Sequence, residues 1–109
     1  EAISIVEQGI ADAETVDEAV KYSFGLRLPQ LGPIENADMV GVDLTWNIHD
    51  YVLEYLEDSK EPSPLLKNLK EHGDLGFKTG KGFREYTQEE INASKNGLND
   101  YLIKMIYGK

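Results

Sequence analysis

The sequence contains no cysteine, and this absence excludes two kinds of chemistry. Without a thiol the chain has neither a disulfide framework nor a cysteine nucleophile, so we expect it in a reducing compartment, the cytoplasm. Histidine is almost as scarce, because His49 and His72 are the only two and do not stand at the spacing of paired metal ligands. We therefore expect no metal site.

Positive charge is also in short supply. Eleven Lys and Arg residues stand against twenty Asp and Glu, which gives a net charge of −9 and a pI near 4.6. A protein that binds duplex nucleic acid or an anionic membrane needs clustered basic side chains. No run reaches the roughly 18 apolar residues of a membrane span, and no signal segment opens the chain. We expect neither nucleic acid nor membrane as a partner.

Apolar residues recur at helical spacing, and no alternating strand pattern competes with them. The sequence predicts an all-α fold, a compact domain of about five helices. The five are an opening helix ended by Gly9, a short one from a Thr15–Glu18 capping box through about Ser23, a long one from Pro33 to about Leu56, a two-turn one from Pro64, and a last one from a Thr87–Glu90 capping box. The segment FGLRLPQLG, residues 24–32, is predicted to be a loop.

Two of these helices carry most of the large apolar side chains. The long helix is expected to bend at Gly41, and its aromatic residues are spaced as core or interface residues rather than as a stacking platform. These aromatic residues are Trp46, Tyr51 and Tyr55. The last helix presents a set of apolar residues for burial. They are Ile91, Leu98, Leu102, Met105 and Ile106.

The histidines are not expected to be catalytic. On one helix His49 and Glu61 would lie about 18 Å apart along the axis, too far for an acid–base pair. His49 is interpreted as a structural or surface residue. His72 precedes Gly73 and suits a cation at a helix C-terminus.

The segment GFKTGKGFREYT, residues 76–87, is the strongest candidate site and is called the lysine loop below. Its glycines fit neither the Walker loop nor the G-x-G-x-x-G dinucleotide fingerprint. From the residues alone, two interpretations stay open. Gly80 and Gly82 let the backbone approach a ligand beside Lys78 and Lys81, or the loop is a turn that packs its aromatic side chains and leaves both lysines in solvent.

Three stretches carry a resemblance to a known family. VEQGIADAETVDEAV, LGPIENADMVGVDL and LGFKTGKGF resemble, in order and spacing, the C-terminal domain of the L-3-hydroxyacyl-CoA dehydrogenase family. The resemblance covers residues 1 to about 86. It implies that residues 1–109 are the helical C-terminal domain of an enzyme whose N-terminal Rossmann domain holds NAD. The family oxidises a 3-hydroxyacyl-CoA to a 3-oxoacyl-CoA in fatty acid β-oxidation or 3-hydroxybutyryl-CoA metabolism.

The same resemblance assigns roles to a few positions. The catalytic histidine and its glutamate belong to the Rossmann domain, and nothing around His49 matches their context. A catalytic asparagine stands upstream of the position that Glu1 matches. The chain is therefore expected to be a piece of a longer protein, with no catalytic residue of its own and no activity alone. Lys78 is the residue implied to contact NAD, as part of a lid over the cofactor.

Further expectations come from the resemblance. The helix that Gly32 and Pro33 open is implied to form a wall of the acyl-CoA cleft, and the domain is implied to form a homodimer. Arg84 departs from the aromatic residue usual in the family. Gulonate and carnitine dehydrogenases share the architecture, although K-T-G-K-G-F favours the acyl-CoA branch. The alternative is a free-standing helical interaction or dimerisation protein.

Overall fold

A computed structural model describes residues 1–108 and confirms the all-α fold. The helices follow one another as α1 (Ala2–Glu7), α2 (Ala13–Lys21), α3 (Phe24–Arg27), α4 (Pro33–Val40), α5 (Val42–Val52), a 3-10 turn (Leu53–Tyr55), α6 (Pro64–Glu71) and α7 (Gln88–Tyr107). No strand forms within the described residues, apart from two isolated bridges in the lysine loop. The backbone divides into two compact units, Glu1–Ser63 and the part that begins at Pro64.

The first two helices differ in how well the sequence predicted their ends. Gly9 ends α1 with φ of 72°, as predicted. The predicted capping box at Thr15 and Glu18 is wrong, because α2 begins three residues earlier. The Asp12 carboxylate is the N-cap, and its Oδ1 accepts a hydrogen bond from the Thr15 N–H at 2.8 Å. A carboxylate at this position also meets the positive end of the helix dipole.

The predicted loop at residues 24–32 contains a helix that the sequence analysis missed. One turn, α3, forms at Phe24–Arg27 and packs on α2. Gly25 permits this approach, because a Cβ there would lie 2.5 Å from the Val20 carbonyl oxygen. Pro29 cannot donate the backbone hydrogen bond that a longer helix would need.

The predicted long helix is broken at the residue where a bend was expected. Gly41 has φ of 110° and ψ of 131°, which ends α4 and starts α5. Pro33 does occupy the first position of α4, and the Gly32 N–H donates to the Glu35 carboxylate at 3.2 Å. The start of this helix is therefore as predicted, and its length is not.

Polar contacts tie α1 to the end of the first unit. The Glu57 N–H donates to the Glu1 carboxylate, and the Ser4 hydroxyl donates to the Glu57 carboxylate at 3.5 Å. The Ser63 hydroxyl donates to the Glu7 carboxylate. These contacts join residues more than fifty positions apart and connect the start of the first unit to its end. The helices that pack on each other in this unit are otherwise neighbours in the chain.

The second unit follows the sequence prediction closely. Gly73, with φ of 77°, follows α6. The Thr87–Glu90 capping box is confirmed at the start of α7, since each residue's side chain accepts a hydrogen bond from the other's backbone N–H, at 3.0 and 3.1 Å. The box fixes the point at which the lysine loop becomes a helix.

Burial is far lower than the sequence predicted. Among residues 1–108, Ile91 is the one buried hydrophobic residue, with 4% of its surface exposed. The other residues that α7 makes available for burial are exposed in this chain. They are Leu98, Leu102, Met105 and Ile106. The α5 region's aromatic residues are also exposed, so the core interpretation is wrong for Trp46, Tyr51 and Tyr55, and the interface interpretation stays a prediction. No helix in the described part of the chain is both long and apolar enough to cross a membrane.

The N-cap of α2 gives a test of the corrected helix start. We expect Asp12→Ala to lower the free energy of unfolding by about 0.5–2 kcal/mol, because it removes the acceptor for the Thr15 N–H. Thr15→Ala is the matched control and should change it by no more than a few tenths of a kcal/mol, since that N–H remains. Urea unfolding followed by circular dichroism measures both. A larger decrease in the free energy of unfolding for Thr15→Ala than for Asp12→Ala would support the Thr15–Glu18 capping box instead.

Candidate functional site

The lysine loop closes on itself through backbone hydrogen bonds. The Gly76 N–H donates to the Lys81 carbonyl at 2.8 Å, and the Thr79 N–H donates to the Gly76 carbonyl at 3.1 Å. Farther along, the Tyr86 N–H donates to the Gly80 carbonyl at 2.8 Å. Residues 76–86 are therefore held as two linked turns.

The glycines of the loop serve its backbone geometry. Gly76 has φ of 89° and Gly80 has φ of 79°, values that side-chain-bearing residues rarely adopt. A Cβ on Gly82 would lie 3.0 Å from the Gly76 Cα, so two parts of the loop pass too close for a side chain. The spacing of these glycines follows from this fold, which explains why it fits neither nucleotide-binding motif.

Aromatic packing holds the base of the loop. The Phe77 and Tyr86 rings meet edge to face, with centroids 4.9 Å apart and planes 77° from parallel. The Arg84 guanidinium lies 5.9 Å from the Tyr86 ring centroid, in cation–π range. The Arg84 side chain thus packs over the Tyr86 ring. The packed-turn interpretation holds for Phe77 and Tyr86, whose rings pack on each other, but not for Phe83, which is 42% exposed.

The two loop lysines have different surroundings. The Lys81 ammonium lies 3.9 Å from the Glu85 carboxylate, with both side chains more than half exposed. Such a pair adds little to stability, but it offsets the lysine's charge locally. Lys78 is exposed, and within residues 1–108 its ammonium makes no salt bridge or hydrogen bond. Lys78 is therefore the loop lysine that is available to a ligand.

An open cavity of about 440 Å³ lies beside the loop, but it does not suit an anion. Its lining is Gly80, Lys81, Glu85, Tyr86, Thr87 and Glu90. The lining carries a net negative charge, because it contains two carboxylates, Glu85 and Glu90, and one lysine. The hydrogen bond from the Thr87 N–H, then that from its hydroxyl and the Arg84 charge, hold the pKa of Glu90 below its usual range, so Glu90 is ionised near neutral pH. Lys78 is not part of this cavity.

Neither histidine forms a catalytic arrangement. The His72 Nδ1 lies 2.7 Å from the Asn68 carbonyl oxygen, one turn earlier in α6, which fits the structural role expected for it. His49 lies on the exposed surface of α5. In the described part of the chain, no three His, Asp or Glu side chains come together as potential metal ligands.

Comparison with known proteins identifies the domain. Residues 1–86 match the family model described as 3-hydroxyacyl-CoA dehydrogenase, C-terminal domain. The chain belongs to the 3-hydroxyacyl-CoA dehydrogenase family. The matched residues include all three stretches that suggested the resemblance, with the lysine loop at their end. Most of α7 lies beyond them.

Similar proteins extend this result. The chain is 39% identical over 90 residues to a probable 3-hydroxybutyryl-CoA dehydrogenase of Bacillus subtilis, covering 82% of this chain and 30% of that protein. It is 43% identical over 86 residues to the 3-hydroxybutyryl-CoA dehydrogenase of Mycobacterium tuberculosis, covering 78% of this chain and 29% of that protein. The chain thus spans about 30% of the length of these relatives.

A solved structure has the same fold. It is 5-formyl-3-hydroxy-2-methylpyridine 4-carboxylic acid 5-dehydrogenase, described as an NAD⁺-dependent dismutase. The two chains are 26% identical with a TM-score of 0.90, over 94% of this chain and 33% of the other. The all-α dehydrogenase-family domain is therefore supported by both sequence and structure.

The ionised Glu90 at the end of the loop gives a pH test. Because its folded-state pKa is lowered, its contribution to stability is present above the ordinary glutamate pKa of about 4.3 and is lost as pH falls through the lower folded value. Glu90→Gln should therefore lower the melting temperature at pH 7, and this effect should shrink as the pH falls below about 4.3. Glu89→Gln, in the same helical turn, is the control. A Glu90→Gln effect that does not shrink at low pH would contradict this account.

Proposed function

We propose that the chain is the C-terminal domain of an NAD-dependent L-3-hydroxyacyl-CoA dehydrogenase. The observation that carries the proposal is the K-T-G-K-G-F loop, which is closed by backbone hydrogen bonds and keeps one lysine, Lys78, unpaired. In this proposal a Rossmann domain elsewhere in the subunit supplies most of the NAD site and the catalytic base. The present domain supplies a cofactor contact, a wall of the acyl-CoA cleft and a dimer surface.

Lys78 fits the role of a cofactor contact. Its ammonium is exposed and has no competing carboxylate, whereas Lys81 is paired with Glu85. An ammonium that meets a cofactor oxygen forms a charge-assisted hydrogen bond. NAD itself accepts the hydride when it is bound, so Lys78 acts in binding and orientation.

The substrate class is proposed from the relatives. Bacterial relatives that are 39–43% identical to this chain are named as 3-hydroxybutyryl-CoA dehydrogenases, which favours a short 3-hydroxyacyl-CoA, whereas two animal relatives at 39% are named for hydroxyacyl-CoA without a chain length. A second candidate is a substrate without CoA, because the structurally similar chain at 26% identity acts on a pyridine carboxylic acid by its name. NADH production from 3-hydroxybutyryl-CoA, compared with the pyridine substrate, separates the two. The free-standing interaction protein is set aside, because the family match extends through the lysine loop.

A dimer surface is supported by the large accessible surface of the chain and by its exposed apolar side chains. The chain exposes 9302 Å², whereas even two separate compact bodies sharing its mass would expose only about 7,000 Å². On α4 and α5, five large side chains are exposed by more than 60% each. They are Ile34, Met39, Val42, Trp46 and Tyr51. Exposed patches of this kind commonly mark an interface, and a symmetric dimer buries the same patch twice.

Substitution at Lys78 tests the cofactor contact. In the full-length subunit that carries this domain, Lys78→Met should weaken NAD binding by about 10- to 150-fold, because one charge-assisted hydrogen bond is lost. Lys81→Met is the matched control and should change binding by less than about threefold, since Glu85 already pairs with that lysine. Calorimetric titration of NAD measures both. Parent-like binding by Lys78→Met, or a larger loss for Lys81→Met, would reject the contact.

The dimer has its own test on residues 1–109. Sedimentation velocity across a dilution series should show a monomer–dimer equilibrium, and Trp46→Glu should weaken it at least tenfold by placing a charge in the interface. Tyr22→Glu is the control, because Tyr22 is similarly exposed but lies at the end of α2. A monomer at high micromolar concentration, or equal effects of the two substitutions, would count against this surface.

A further inference from the structure

The Thr79 side chain lies at the centre of the lysine loop. Its Oγ1 accepts a hydrogen bond from the Leu75 N–H at 3.0 Å. The same hydroxyl lies 3.0 Å from the Lys81 carbonyl oxygen and 3.3 Å from the Gly76 carbonyl oxygen, and its single hydrogen can be donated to either. The Thr79 hydroxyl therefore connects Leu75, the residue before the loop, with Gly76 and Lys81, the two residues that close its first turn.

The rest of the backbone shows why this joint matters. Lys78 stands between the closing pair, Gly76 and Lys81, and is flanked by Thr79. Gly76 and Gly80 have positive φ and no Cβ, so steric hindrance does not hold these positions in one conformation. Thr79 supplies side-chain hydrogen bonds where the glycines cannot.

The Thr79 hydroxyl cannot be replaced by an apolar group of the same shape. Valine would keep the branched Cβ but leave the Leu75 N–H without its acceptor and the Lys81 carbonyl without one donor. Serine would keep the hydroxyl. The geometry therefore depends on the oxygen and its hydrogen, and the methyl group is secondary.

We propose that Thr79 is the positioning residue for Lys78, holding the loop so that the ammonium is presented to the cofactor without a closing motion. This inference rests on the proposed function, because Lys78 must contact NAD for its position to matter. It differs from a mobile lid in a measurable way. A fixed loop already has its hydrogen bonds before NAD arrives, so little conformational entropy is lost on binding.

A double-mutant cycle in the full-length subunit tests the inference. Thr79→Val should weaken NAD binding by about 5- to 30-fold when Lys78 is present, and by less than twofold in the Lys78→Met background. Thr79→Ser should restore binding to within about threefold of the parent. Calorimetric NAD titration of all variants, with their melting temperatures, gives the cycle.

The outcomes separate the two proposals. If Lys78→Met binds NAD like the parent, the proposed function fails and Thr79 has no cofactor contact to position. If Lys78→Met weakens binding but Thr79→Val weakens it equally in both backgrounds, or not at all, only the positioning role fails. Should Thr79→Val not fold, Thr79→Ala removes the same hydroxyl with no added bulk and replaces it in the cycle.

Hydrogen exchange gives a second readout on residues 1–109 without NAD. The Leu75 amide should be protected in the parent and in Thr79→Ser, and should exchange at least tenfold faster in Thr79→Val. The Tyr86 amide, which bonds to the Gly80 carbonyl, is the internal control. An unprotected Leu75 amide in the parent would show a mobile loop and overturn the inference.

Discussion

The hydrogen bond from the Gly76 N–H to the Lys81 carbonyl closes the segment on which the candidate site depends. It brings both ends of a four-residue excursion together, with Lys78 inside it. The positive φ of Gly76 and the close approach of Gly82 follow from that closure. Since these turns are satisfied by backbone and Thr79 hydrogen bonds, the loop needs little apolar burial to keep its shape.

Charged side chains differ between the two sides of this loop within an acidic chain. At a net charge of −9, an anionic cofactor meets an unfavourable average field. Local pairing distinguishes the two loop lysines, because Glu85 engages Lys81 and leaves Lys78 unpaired. The cavity beside the loop has the opposite balance, with Glu85 and Glu90 in its lining. These local charges favour an anion more on the Lys78 side of the loop than in the cavity.

The sequence predicted the start of a helix correctly where one or two neighbouring residues determine it. Pro33 at a helix start and the Thr87–Glu90 box act through neighbouring backbone groups, so both were correct. Asp12 and Thr15 are both good caps, and the sequence offered no means of choosing between them. Lys78 was singled out from Lys81 only through family resemblance, and its contact with NAD remains a prediction. The role proposed for Thr79 could be inferred only from the structure, because it rests on the distances from the Thr79 hydroxyl to three backbone groups.

Burial could not be predicted, because it depends on which surfaces meet rather than on spacing along a helix. Ile91 and Leu102 belong to the same helical stripe, yet Ile91 is buried and Leu102 is exposed. With so little buried apolar surface, a unit of fewer than fifty residues gains only a few kcal/mol from its own core. Association that covers α5 or α7 would therefore add directly to folding stability. The lysine loop is held by hydrogen bonds within a few residues, so its geometry can exist before that association occurs.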